Sequence, residues 1–115
     1  MPLFVVTFTH PDPVGWKQHL SDHLDWLVAG VESGRIRASG DTPQTPIRSA
    51  LLIVSAADGE SAAEFISTDP FVIKGQVGEM TITEWSPYFG ALNNDSELAG
   101  MTAPEVASFI RSRLL

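Results

Sequence analysis

Two short segments of this sequence, Leu3-Phe4-Val5-Val6-Thr7-Phe8 and Leu51-Leu52-Ile53-Val54, are apolar on both sides and constrain the fold more than anything else in it. Successive side chains of a β-strand point to opposite faces, so such strands need cover above and below. They predict two central strands of one sheet. The segments around them are less apolar: Arg35 to Gly40 alternates weakly, with Ile36 and Ala38 on one side, and Met80 to Trp85 alternates with one wetter face. These predict the two edge strands. Between Pro13 and Gly34, apolar residues recur as Trp16, Leu20, Leu24, Leu27, Val28 and Val31, which predicts a long helix buried along that stripe and stopped by the glycine. Asp41 to Pro46 reads as a loop, and a second helix is expected from about Ser61 to Thr68, with a further helical turn after Asp69-Pro70.

Strand, helix, strand, strand, helix, strand is the split βαβ order of a ferredoxin-like α+β fold, a four-stranded antiparallel sheet with its first and third strands in the middle. The two most apolar segments occupy those middle places. Two helices cover one face, so a symmetric partner is expected on the other, giving a dimeric α+β barrel; the chain's own tail is the rival cover. That tail offers an extra C-terminal helix from Thr102 to Leu115, with Thr102 as cap, Pro104 in its first turn, and Val106, Ala107, Phe109, Ile110 and Leu114 at helical spacing. Residues 1–86 are read as the core unit and 87–115 as an extension packed on that unit or on its partner.

With 115 residues the chain suits one domain. Its 14 acidic and 7 basic residues give a formal net charge of −7, with no cluster of Lys or Arg, which argues against nucleic acid as a partner. Cysteine is absent, so thiol nucleophiles, thiolate metal sites and disulfides are excluded. No apolar run approaches a membrane span, and the opening segment lacks the basic leader of a signal peptide, so a cytoplasmic location is expected.

His19 and His23 lie four apart and stack on one side of the first helix, flanking its apolar stripe, where Trp26 joins them. His23 reads either as a partly buried structural histidine or as a proton carrier. A metal held by the pair would need a third ligand from Asp69, His10 or Asp22. Asp69, ahead of Pro70, is suited to capping the helical turn that follows. A rigid capping carboxylate can also orient an imidazole, and a His with an Asp partner is the smallest unit of general acid–base chemistry.

The combination His23-Leu24-Asp25-Trp26-Leu27, Gly34, Ser39-Gly40, Asp69-Pro70-Phe71, Gly75 and Glu84-Trp85 resembles the YCII-related family over residues 1 to about 86. The resemblance implies a dimeric α+β barrel with a His and an Asp facing a cleft, here His23 and Asp69. It also implies proton-transfer chemistry without a cofactor, since the family includes a dehydrochlorinase of a chlorinated hydroxyquinone and the wider superfamily includes muconolactone isomerases. The chain departs from the family in reading Gly40-Asp41 where Gly-Pro is usual, and in its tail. Substrate contacts are expected from Arg37 and Arg48, which could hold an anion, and from Trp26 and Trp85. Tyr88, Phe89 and Leu92 either close a cleft beside Trp85 or pack on the sheet edge.

The resulting expectation is a cofactor-independent lyase or isomerase for a small cyclic or aromatic metabolite, with no metal. A non-catalytic ligand-binding or interaction module on the same homodimeric barrel is the alternative.

Overall fold

The computed structural model describes residues 1–42 and 47–115; of the loop expected over residues 41–46, residues 43–46 lie outside them and the first two belong to a strand. The elements in chain order are β1 (Leu3–His10), α1 (Pro13–Glu32), β2 (Ile36–Thr42), β3 (Arg48–Ser55), α2 (Gly59–Ile66), α3 (Pro70–Ile73), β4 (Met80–Trp85), a 3-10 turn (Asn93–Asp95) and α4 (Ala103–Leu114). The sheet order is β2-β3-β1-β4, every neighbouring pair antiparallel. The two segments that are apolar on both sides are therefore its middle strands, as their polarity requires.

Phe4, Val6 and Phe8 of β1 face Val54, Leu52 and Ala50 of β3. With Ile36, Ala62 and Ile66 most of these form one buried cluster between the sheet and the helices. Asp12 caps α1 by accepting from the Val14 and Gly15 amides, and Gly34 ends it at φ +80°, a left-handed conformation that costs glycine little.

The burial of α1 differs from the sequence expectation. Leu24, Val28 and Val31 are 48%, 56% and 56% exposed, and the buried positions are Gly15, His23 and Gly30. The helix is turned so that His23 and Gly30, seven residues apart and thus on one side, meet the rest of the fold. Gly30 makes this approach possible, because a Cβ there would lie 2.3 Å from Ile36 Cδ1. Leu27 packs against the core, while Leu20, Leu24, Val28 and Val31 are left over an open cleft.

A second difference lies in β2. Its register slips between Ile36, opposite Val54, and Ala38, opposite Ile53, so Arg37 is the extra residue of a β-bulge. Ile36 and Ala38 therefore lie on opposite faces, not on one side as their spacing suggested. Beyond the bulge, Ser39 and Asp41 share the helix side of the sheet, opposite Leu52 and Ala50.

On the opposite face Leu3 and Ile53 are buried, and so are Leu98 and Val106 of the tail, all four outside the helix-side cluster. Arg37 pairs with Asp95, and the Glu97 amide approaches Ser86 Oγ. The tail thus meets the sheet at Arg37 of β2 and just past the end of β4. Asn93 shapes the tail, donating from Nδ2 to the Tyr88 and Leu98 carbonyls and accepting from the Gly100 amide. Thr102 and Glu105 close a capping box at the start of α4; the Thr102 amide and hydroxyl, bonded to the Glu105 carboxylate, hold its pKa below the usual value. The middle of the open face is more polar, with the Thr7 and Thr81 hydroxyls bonded across the strands.

The chain is elongated, 52 × 30 × 22 Å with a radius of gyration of 16.2 Å, against about 13 Å for a compact domain of roughly this length. No helix among the described residues is long and apolar enough to cross a membrane.

Candidate active site

His23 reaches inward from the middle of α1 and is 7% exposed; Asp69, between α2 and α3, is fully buried. Asp69 caps α3 by accepting the Phe71 amide on Oδ1 at 2.9 Å, and the same oxygen lies 2.8 Å from His23 Nδ1. A carboxylate can only accept, so Nδ1 carries the proton of this bond and the neutral ring keeps its lone pair on Nε2. Asp69 Oδ2 is buried with no hydrogen-bond partner among the described residues, so little besides the imidazole offsets the carboxylate's charge.

The ring plane of His23 is fixed by stacking as well. Phe71 lies 4.1 Å from it at 20°, and Trp26 packs 5.9 Å away at 24°. Trp26 is itself held by Phe65 at 4.9 Å and by donating from Nε1 to Thr68 Oγ1. His23 thus stacks with two aromatic rings and has its Nδ1 committed.

A cleft of about 820 Å³ opens beside it, within the size range of small-molecule sites. Leu20, Leu24, Val28 and Val31 of α1 form one wall; Ser39, Asp41 and Ala50 form the other; Trp16, Phe71, His23 and His10 join them. The walls are mostly hydrocarbon and the polar groups few. Apolar walls exclude water and strengthen the electrostatics of the groups that remain.

Arg48 does not line the cleft but adjoins two residues that do, its guanidinium 3.8 Å over the Trp16 ring and 3.8 Å from Asp41 Oδ2. Trp26 backs His23 without lining the cleft. Arg37 is turned away to Asp95, and Trp85 lines a separate, smaller cavity with Met1, Pro2 and Asp95. Tyr88 and Phe89 border a third cavity within the tail. The structure therefore brings His23, Asp69 and Trp26 together, sets Arg48 against the cleft residues Trp16 and Asp41, and leaves Arg37 and Trp85 elsewhere. His19 is half-buried on α1 and Asp22 exposed; among the described residues no group of three or more His, Asp or Glu is placed to hold a metal.

One cleft residue was absent from the sequence expectation in this role. His10 ends β1 on the same face as Phe4, Val6 and Phe8, and the two-residue period of that strand was the available signal.

The sequence model of the YCII-related domain matches residues 4–86 of this chain. The chain belongs to the YCII-related family. The match ends one residue after β4, so the 3-10 turn and α4 lie beyond it. Among solved structures, the chain is similar to 5-chloro-2-hydroxyhydroquinone dehydrochlorinase from Burkholderia phenoliruptrix in complex with 2,5-dihydroxybenzoquinone. The TM-score is 0.58 at 17% sequence identity, over 73% of this chain and 93% of that one. At that identity the likeness speaks for the fold. No curated protein matches the chain.

Proposed function

We propose that this protein is a cofactor-independent lyase or isomerase that moves a proton on a small cyclic or aromatic metabolite, with His23 as the proton carrier and Asp69 as its orienting partner. The observation that carries this reading is the 2.8 Å bond between His23 Nδ1 and a fully buried carboxylate, made at the edge of an apolar cleft. In such a step Nε2 takes a proton from a substrate carbon or hydroxyl, and the electron pair left behind moves into the ring system. In a lyase a leaving group then departs with a pair; in an isomerase the imidazolium returns the proton at another position. Asp69 balances the imidazolium charge while it exists. The cleft suits a planar ring, and Arg48, packed on the cleft residue Trp16, could attract an anionic substituent. The dehydrochlorinase of similar fold makes a chlorinated hydroxyhydroquinone the natural first substrate to try.

Offered 5-chloro-2-hydroxyhydroquinone without oxygen, the protein is expected to release chloride faster than buffer, as read by an ion-selective electrode. His23→Gln is expected to lower that rate by roughly 10²–10⁴-fold. Equal rates in variant and wild type would overturn the reading. Binding without turnover would favour the non-catalytic module, for which the exposed Leu24, Val28 and Val31 are the motivating feature.

We further read residues 1–86 as the family unit and the tail as an added cover, in a homodimer of cytoplasmic location. Support for the dimer comes from the elongated outline and from the sheet face away from the helices, where Val5 and Leu51 are only half-buried. Native mass spectrometry at micromolar concentration is expected to give twice the chain mass; a monomer throughout would end this proposal.

A further inference from the structure

His10 is a buried polar side chain, 4% exposed, that the chemistry of His23 and Asp69 does not use. Its Nδ1 lies 2.9 Å from the carbonyl oxygen of Gln76. A carbonyl cannot donate, so Nδ1 carries a proton and, in the neutral ring, Nε2 holds the lone pair. Among the described residues Nε2 has no hydrogen-bond partner, and the ring is part of the cleft wall. Phe8 packs on it edge-on at 5.9 Å and Phe71 at 4.9 Å. Phe71 stacks on His23 as well, so both imidazoles pack against one aromatic ring beside the same cleft.

The two imidazoles are alike in having Nδ1 committed and Nε2 unspent, and they differ in what holds them. His23 leans on a carboxylate, which offsets the charge of an imidazolium; His10 leans on a neutral carbonyl, which sets the tautomer and offers no countercharge. One ring is thereby suited to carrying a proton and the other to accepting a hydrogen bond. A bare structural histidine, tying the end of β1 to the segment after α3, would need the Nδ1 bond alone. That task does not account for the place of the ring on the wall of an otherwise apolar cleft.

We infer that His10 is a substrate-contacting residue whose Nε2 accepts a hydrogen bond from a ring hydroxyl, so that the cleft selects planar hydroxylated rings over rings without a donor. This rests on the reading of the cleft as the substrate site and adds the substrate class and the residue that reads it. No bond to His10 is made or broken; the proton it orients stays on the substrate oxygen, and transfer is left to His23.

The test uses the full chain with nitrogen-15 in its histidine rings and two probes of similar ring size: hydroquinone, kept under nitrogen, and 1,4-dimethoxybenzene, which lacks the donor. Hydroquinone is expected to shift the Nε2 resonance of His10 and to bind about tenfold more tightly than the dimethoxy compound, the value of one hydrogen bond. His10→Asn keeps a donor where Nδ1 was and loses the acceptor at Nε2, so it should bind hydroquinone about tenfold more weakly. His10→Gln, with an amide oxygen able to reach the Nε2 position, should recover part of that loss. A shift of His23 without His10, or an Asn variant that binds hydroquinone like wild type, would overturn the role of His10 and leave the cleft as the substrate site. If hydroquinone moves neither ring, the assignment of the cleft falls together with that of His10.

Discussion

Replacing Asp69 by asparagine is expected to cut turnover by roughly 10²–10⁴-fold while the fold survives. The prediction separates two tasks that one oxygen performs, since Asp69 Oδ1 both caps α3 and holds His23. Asparagine caps a helix about as well as aspartate, so capping alone predicts an unchanged rate. What the amide lacks is charge. An imidazolium formed beside it would be buried and uncompensated, and the amide could also present a donor where His23 needs an acceptor. The neutral side chain costs some stability, because the bond from His23 loses its charged acceptor; about 1 kcal/mol is expected. Rates of chloride release, compared with unfolding midpoints of the same preparations, give the answer. An asparagine variant at wild-type rate would reduce Asp69 to a helix cap.

Phe71→Ala is expected to be the most destabilising single change at this site, by about 3–5 kcal/mol. Phe71 is 1% exposed and is the plate against which His23 and His10 both pack, with Trp16 stacked 6.5 Å away. Truncation removes those contacts together and leaves a hole that helix α3, one turn long, cannot collapse to fill. For a domain of about this length the melting temperature should fall by roughly 10–20 °C. Urea unfolding followed by tryptophan fluorescence would measure the loss, and a cost below about 1 kcal/mol would contradict the role of the ring in the core. Phe71→Leu refills most of the volume and should recover part of the stability but not the ring-on-ring orientation of His23.

The sheet was legible in the sequence because strand polarity and strand order point to the same answer. Only the first and third strands are apolar on both sides, and only those two places in a split βαβ sheet are flanked by strands. The pairing of residues 46 positions apart, His23 with Asp69, had no local signature; family resemblance suggested the pair, and the geometry places them 2.8 Å apart.

Three features were hidden for physical reasons. The stripe on α1 repeats at the proper spacing, but periodicity does not say whether a stripe faces a core or an open cleft, and here Gly30 against Ile36 sets the rotation of the helix. The bulge at Arg37 has no sequence signal either, since Arg37 is neither glycine nor proline and β2 is an edge strand of mixed polarity. His10 was hidden by its residue type, because a polar residue closing an apolar strand invites reading as the start of the loop.

The slip at Arg37 makes the makeup of the cleft depend on a count. In an unslipped ladder Ala38 and Gly40 would point under the helices, and Ser39 and Asp41 would point away from them. Every polar group that β2 brings to the cleft is there because one residue too many was threaded through that edge. A relative without the extra residue could keep the same amino acids at this rim and still offer its guest a hydrocarbon border, with no acid near Arg48 to compete for an anion.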